Sequence, residues 1–387
     1  MGIFRYFLAI CVVLAHTPYI DWYSKPFDGN GGIPVQAFFV ISGFYMSLIY
    51  EKYQLTATTP TNLKNFYLAR ALRIYPVYFA CLICTFLFLS NGITPPEPFR
   101  VPAHAMDIIH TLNSKMAYIF ENVFIFGQSL IRFYSFDATT GSFGFAPLMI
   151  HQVPGTMACG FTMLGQAWTL SLELTFYLLV PFILHRSVRL ILLVCLASVM
   201  LRLMLYQGAI DNYNFQNAFF PSVLGTFLLG ALSHRIIYPL VRDRSNTFKK
   251  IAGWATIGFI AFYAMHIYHK IGNIQLKFWL FIAFIPLILP FLFCCFKDSK
   301  LDRNIGEMSF PIYMAQYLGM ALVLKFLDVK YIGYYNVLLD NLIGLALLFV
   351  IVRPIDRYRH AHFLKHKARR EALESKNLYS SPQTAGA

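Results

Sequence analysis

Long apolar runs recur along this chain, separated by short loops that hold Lys and Arg. A helix rising 1.5 Å per residue needs about 20 mostly apolar residues to cross a bilayer. About ten stretches fit that measure, at 3–20, 32–50, 71–88, 162–184, 190–206, 218–237, 251–267, 278–296, 309–327 and 334–352. The expected fold is therefore an all-α polytopic membrane helix bundle with about ten transmembrane helices.

The basic loops set the expected orientation. Loops after the even-numbered stretches carry Lys52, Lys64, Arg70 and Arg73, then Arg186 and Arg189, then Arg235, Arg242, Arg244, Lys249 and Lys250, then Lys297, Lys300 and Arg303. A basic stretch with Arg353, Arg357, Arg359, Lys365, Lys367, Arg369 and Arg370 follows the last run, whereas 211–216 holds no basic residue. Basic loops face the cytoplasm, so both termini are expected there. The first run lacks a small-residue cleavage site and is read as a retained span, not a signal peptide.

One long stretch, 91–160, is read as a mostly outer loop that could form part of an acceptor site. It is rich in Pro, Gly and Ser, and an additional span inside it would turn every later basic loop outward. Within it 116–126 is apolar with a central Glu and too short to span, which suits a re-entrant or interfacial helix. The division is thus a membrane domain at 1–353 and a basic, partly disordered cytoplasmic tail at 354–387.

Composition agrees. Hydrophobic residues make up 57% of the 387 and charged residues 13%, against roughly 25% charged in soluble domains. The formal net charge is +14, but it sits in loops and tail as a topology signal and not interleaved with aromatics on a soluble face, so no nucleic-acid partner is expected. Cys81 and Cys84 lie inside an apolar run without a second Cys or His pair at zinc spacing, so no metal site is expected.

Ionisable residues inside spans are costly and mark function. Arg5 and His16 stand eleven residues apart on one helix, about 16 Å along its axis and close to three turns, hence on one face. Arg70 and Arg73, at i and i+3, share a face at a helix end, where they either clamp phosphates or anchor the span. Glu173 lies in mid-span and shares a face with Thr169 and Tyr177; it is either a catalytic carboxyl or part of a buried ion pair. Ser42 and Gly43 suit close helix packing. Arg202 and Lys277 fall near outer span ends and are expected to snorkel.

Taken in order, Arg5 to His16, V-Q-A-F-F-V-I-S-G-F from Val35, Arg70-Ala71-Leu72-Arg73, W-T-L-S-L-E-L-T-F-Y from Trp168 and G-E-M-S-F-P-I-Y from Gly306 resemble the acyltransferase 3 family of membrane acyltransferases. The chain departs from that pattern at Gln316, where many relatives carry a His. The resemblance implies transfer of an acyl group, most often acetyl, from cytoplasmic acyl-CoA to a hydroxyl of an envelope or exported glycan or lipid-linked saccharide, in a bacterial inner membrane. Arg5, Arg70 and Arg73 would hold the donor's phosphates. His16 would act as general base or carry the acyl group covalently. Glu173 would orient His16 or pair with an Arg, and Trp168, Tyr177 and Ser42 are candidate substrate contacts. This reading requires one water-accessible shaft joining the arginines to His16. Two rivals are a transporter or flippase that uses the intramembrane charges without acyl transfer, and a non-catalytic partner of a glycan export machine.

Overall fold

The computed structural model describes residues 1–17, 25–53, 60–94, 105–146, 157–207, 213–264, 274–327 and 332–359. The tail at 360–387, the part of the first apolar run beyond residue 17, and segments 95–104 and 147–156 of the long loop lie outside them. Among the described residues fifteen α-helices run in the order α1 (Gly2–His16), α2 (Gly32–Tyr53), α3 (Pro60–Ser90), α4 (Ala105–Ile108), α5 (Leu112–Phe124), α6 (Trp168–Ile183), α7 (Val188–Gln207), α8 (Tyr213–Asn217), α9 (Phe220–Leu232), α10 (Tyr238–Arg242), α11 (Asn246–Phe262), α12 (Ile274–Phe296), α13 (Lys300–Phe326), α14 (Ile332–Leu347) and α15 (Arg353–Arg359). Over its described residues, each expected span overlaps one of these helices. Seven helical segments are long and apolar enough to cross a membrane; α1, α11 and α13 fall outside that set. α1 is short, at 15 residues, and α11 opens on Asn246, Thr247, Lys249 and Lys250, which lower its apolar character. α13 has 27 residues, but Lys300, Asp302, Arg303, Glu307 and Gln316 dilute its apolar character.

α2 occupies the centre. Its sequence is apolar almost all round, which suits a helix buried on every side. Phe39 and Met46 join a core shared with α3, α6, α7 and α9, while Ala37, Val40, Ile41 and Phe44 join a second core built with α1, α11 and α12. Two glycines let α2 and α9 touch backbone to backbone. A Cβ at Gly43 would strike the Phe227 carbonyl, and a Cβ at Gly230 would strike the Val40 carbonyl. The same device joins α1 to α13, where Gly2 and Gly306 face each other. Small residues of this kind allow the close van der Waals contact that drives helix association in lipid.

The all-α expectation has one exception. The long loop folds a short antiparallel hairpin, β1 (Tyr134–Asp137) with β2 (Ser142–Phe145), in register from Tyr134 opposite Phe145 to Asp137 opposite Ser142. Gly141 turns it at φ 61°. Period-2 alternation over four residues is too short to stand out in a chain this apolar.

The 116–126 segment lies on α5, whose polarity is inverted. Leu112, Met116, Ile119 and Phe120 are exposed while Ser114, Glu121 and Asn122 are buried. Two tyrosines of α3 fix its C-terminal end: Tyr75 and Tyr78 donate to the carbonyls of Phe124 and Asn122, both at 2.6 Å. They satisfy carbonyls that a helix end leaves without intrahelical partners.

The expectation that Arg202 snorkels is not met. It is buried, donates to Gln36 Oε1 at 3.0 Å and Asn217 Oδ1 at 2.8 Å, and stacks 4.5 Å from the Phe278 ring. Polar partners from α2 and α8 lie within reach, so the guanidinium is satisfied in the protein interior. Lys277 is buried as well.

Two outcomes test this packing. Gly230→Val drives a side chain into the α2 backbone and should destabilise the detergent-solubilised protein by about 3 kcal/mol or more, read as a fall in Tm or loss of monodisperse protein; an unchanged Tm would refute the close approach. In the outer loop, burial pushes the Glu121 carboxyl up to about 8, with the Thr162 hydroxyl acting weakly the other way. The folded protein therefore keeps a proton that the unfolded chain has lost. Stability should fall as pH rises from about 4.5 to about 8 and level off above. Glu121→Gln should flatten that slope in Tm-against-pH curves, and an unaltered slope would exclude Glu121 as its source.

Candidate active site

A cavity of about 450 Å³ opens at the end of the bundle where α1 begins. Its position follows from how α1 starts. The first turn of a helix leaves backbone N–H groups without intrahelical acceptors. Here the Asp302 carboxylate, reaching from α13, accepts from Gly2 N at 2.7 Å and Ile3 N at 2.9 Å. A negative charge at that end also complements the helix dipole. The register so fixed places Arg5 one turn inside the rim, facing the cavity.

α3 brings Arg70 and Arg73 to the same cavity, as their i, i+3 spacing requires. Among the described residues, Arg5, Arg70 and Arg73 make no ion pair; Arg70 is buried and its Nε has no hydrogen-bond partner. The Arg70 guanidinium lies 6.0 Å from the Tyr177 ring centre. Lys297, Arg303 and Arg359 add positive charge nearer the mouth, with Asp302, Glu307 and Asp356 among them. Lys297, Arg303 and Arg359 were read from the sequence as topology signals only, and no motif separates them from other loop cations.

α6 supplies the cavity's far wall with Thr169, Glu173 and Tyr177, three residues on one helical stripe. Glu173 is not held by an arginine. Its Oε1 accepts from Ser42 Oγ at 2.7 Å and from the Tyr177 hydroxyl, and Ser42 Oγ also lies 3.3 Å from that hydroxyl. Ser42, Glu173 and Tyr177 therefore form one hydrogen-bonded group drawn from α2 and α6. Among the described residues the carboxylate makes no direct ion pair with the arginines, so their N–H groups are not taken up by it.

The cavity ends in a polar roof. Tyr313 donates its hydroxyl to the Gln166 carbonyl at 2.9 Å and meets Thr169 Oγ1 at 2.8 Å, and Gln166 Nε2 donates to the Met314 carbonyl at 2.8 Å. This knot ties the start of α6 to the middle of α13. His16 does not line the cavity. It lies beyond the roof, with its ring 5.7 Å from that of Tyr317, one turn further along α13 than Tyr313. Among the described residues, the cavity that holds the arginines reaches Tyr313 on α13 and Val35 on α2 but does not include His16, so the expected open shaft is not seen. Tyr317 also borders a narrow cleft of about 20 Å³ with Phe88, Ile93 and Met163 on the far side.

His16 is nonetheless set up in a defined way. Its Nδ1 lies 2.9 Å from the Val12 carbonyl, one helical turn earlier. A carbonyl only accepts, so Nδ1 carries the hydrogen and Nε2 keeps its lone pair. The fully buried Gln316 side chain faces the same ring. Trp168, a candidate substrate contact, also lies outside the cavity; the Arg132 guanidinium lies 5.1 Å from its ring centre. Tyr313, which lines the cavity, was not singled out from the sequence, because its block reads equally well as a helix entry.

No curated protein and no protein of solved structure matches the chain. A family model described as an acyltransferase domain, the model of acyltransferase 3, matches residues 1–353. That match takes in α1, α2, α3, α6 and α13, the helices that carry the arginine cluster, the Ser42–Glu173–Tyr177 group and His16, and so this chain belongs to the acyltransferase 3 family and is a membrane acyltransferase.

Proposed function

We propose that the protein transfers an acetyl group from cytoplasmic acetyl-CoA to a hydroxyl of an envelope or exported glycan, working from a bacterial inner membrane. The observation that carries this reading is the set of three guanidinium groups without ion-pair partners around one cavity, one with an orphaned buried donor. A polyanion with several phosphate oxygens supplies the missing acceptors, and charge-assisted bonds to phosphate are among the strongest available. Acyl-CoA is such an anion and is made in the cytoplasm. The basic residues around the mouth favour that face as the cytoplasmic one, so the donor enters where it is made.

The donor's phosphates lie against Arg5, Arg70 and Arg73, and the pantetheine arm extends along α1. The distance from Arg5 to His16, about 16 Å along the axis, suits an extended arm of that kind. The cavity stops short of His16 with Tyr313 on its lining, and in this reading the thioester reaches the imidazole when side chains between them, Tyr313 among them, move aside. His16 Nε2 takes the proton from the acceptor hydroxyl as that oxygen bonds to the thioester carbonyl carbon. The carbon–sulfur bond then breaks, and the imidazolium returns the proton to the thiolate. The products are the acetylated acceptor and free CoA thiol. Glu173, held by Ser42 and Tyr177, keeps the cavity wall polar beside the arm. On the opposite face the inverted helix α5 lies at the membrane surface and helps form the acceptor side.

His16→Ala should lower turnover by at least about 10²-fold while the protein remains folded in the membrane, assayed as acetyl transfer to the glycan by mass spectrometry; full activity in that variant would remove His16 from the chemistry. Arg70→Ala should raise the apparent KM for acetyl-CoA by about tenfold or more, the worth of a charge-assisted hydrogen bond to a buried donor. An unchanged donor affinity would count against the phosphate clamp.

A further inference from the structure

α14 carries a buried acid that the chemistry above does not use. Asp340 is fully buried in the bundle, and neither carboxyl oxygen has a hydrogen-bond partner among the described residues. No cation pairs with it there. Its neighbour is a second orphan. Asn336, one turn earlier on the same helix and also fully buried, donates Nδ2 to Thr17 Oγ1 at 2.9 Å but leaves its own Oδ1 without a donor. Both oxygens gather at Gly319 of α13. A Cβ at that position would fall on Asp340 Oδ1 and lie 3.3 Å from Asn336 Oδ1. The glycine is what lets the carboxyl pack against α13.

Two acceptor oxygens turned to one spot, with no donor between them, are each costly in a bundle interior. One hydrogen on the carboxyl removes its unpaired buried charge and answers Asn336 Oδ1, to which the acid O–H donates. We infer that Asp340 is held as the un-ionised acid, donating to Asn336 Oδ1, and that the line Asp340–Asn336–Thr17 is a positioning device for His16. Thr17 follows His16 at the end of α1. Its hydroxyl donates to Val13 at 2.7 Å, beside the His16 bond to Val12. The Lys25 ammonium donates to the Thr17 carbonyl at 2.7 Å. The last turn of α1 is thus tied to α14 through Asn336, and the direction of the imidazole depends on where that turn sits.

The inference about the acid stands apart from the proposed function; the positioning role rests on it, and two measurements separate them. Infrared difference spectra of protein labelled with isotopic aspartate should show a carboxylic-acid C=O band at neutral pH that is missing in Asp340→Asn. Absence of that difference band overturns the un-ionised acid, whatever the protein catalyses. In acetyl transfer, Asp340→Asn keeps the donor hydrogen and the shape, and should retain kcat within about twofold. Asp340→Ala and Asn336→Leu should each lower kcat by about ten- to a hundredfold, the cost of a displaced catalytic group, with the KM for acetyl-CoA unchanged. The two together should lose no more than the worse one alone. If Asp340→Asn is as damaging as Asp340→Ala, or if Asp340→Ala lowers only the yield of folded protein and leaves kcat intact, the positioning role is wrong.

Discussion

Guanidinium groups at the edge of a membrane bundle are costly unless something negative faces them. Here, among the described residues, five of them share one cavity, Arg5, Arg70, Arg73, Arg303 and Arg359, and Lys297 joins them. These six cations outnumber the carboxylates of Glu173, Asp302, Glu307 and Asp356 around it, so the cavity keeps a positive surplus. A bundle interior offers few waters to screen that surplus, and the mutual repulsion of Arg5, Arg70 and Arg73 has to be borne by packing elsewhere. A site of this kind is poised for an anion of several charges, because each added phosphate oxygen both relieves repulsion and fills an empty donor.

The packing that bears this cost is glycine-based. α2 meets α9 at Gly43 and Gly230, and α1 meets α13 at Gly2 and Gly306. Helices that touch along their backbones cannot slide without collision, so the depth of each side chain is set by register. The Asp302 carboxylate fixes the register of α1 from its first turn. Arg5 then falls at the rim, and His16 falls three turns above it. Three separate interactions hold the far end of α1: Asn336 on Thr17, Lys25 on the Thr17 carbonyl, and Tyr317 edge-on to His16.

Between these two ends stands the Tyr313–Thr169–Gln166 knot. Tyr313 of α13 lines the charged cavity, and Tyr317, one turn further on, packs against His16, which lies outside it. The two hydrogen bonds that hold Tyr313 are a modest barrier to its movement, since each such bond contributes about 1 kcal/mol net.

Much of this was legible in the chain. The apolar runs located every major helix, the i, i+3 and i, i+4 spacings placed Arg70 with Arg73 and Glu173 with Tyr177 on common faces, and the rarity of charge inside spans singled out Arg5, His16 and Glu173 as sites of interest. Those features are local, and helical geometry alone projects them into space. The partners were not legible. That Glu173 binds Ser42 and not an arginine, that Arg202 finds Gln36 and Asn217, that Tyr313 bonds the Gln166 carbonyl at the cavity wall, and that Asp340 and Asn336 meet Gly319 all depend on contacts between helices distant in sequence. Periodicity tells which face a residue is on. Only the packing of one helix against another decides what that face meets.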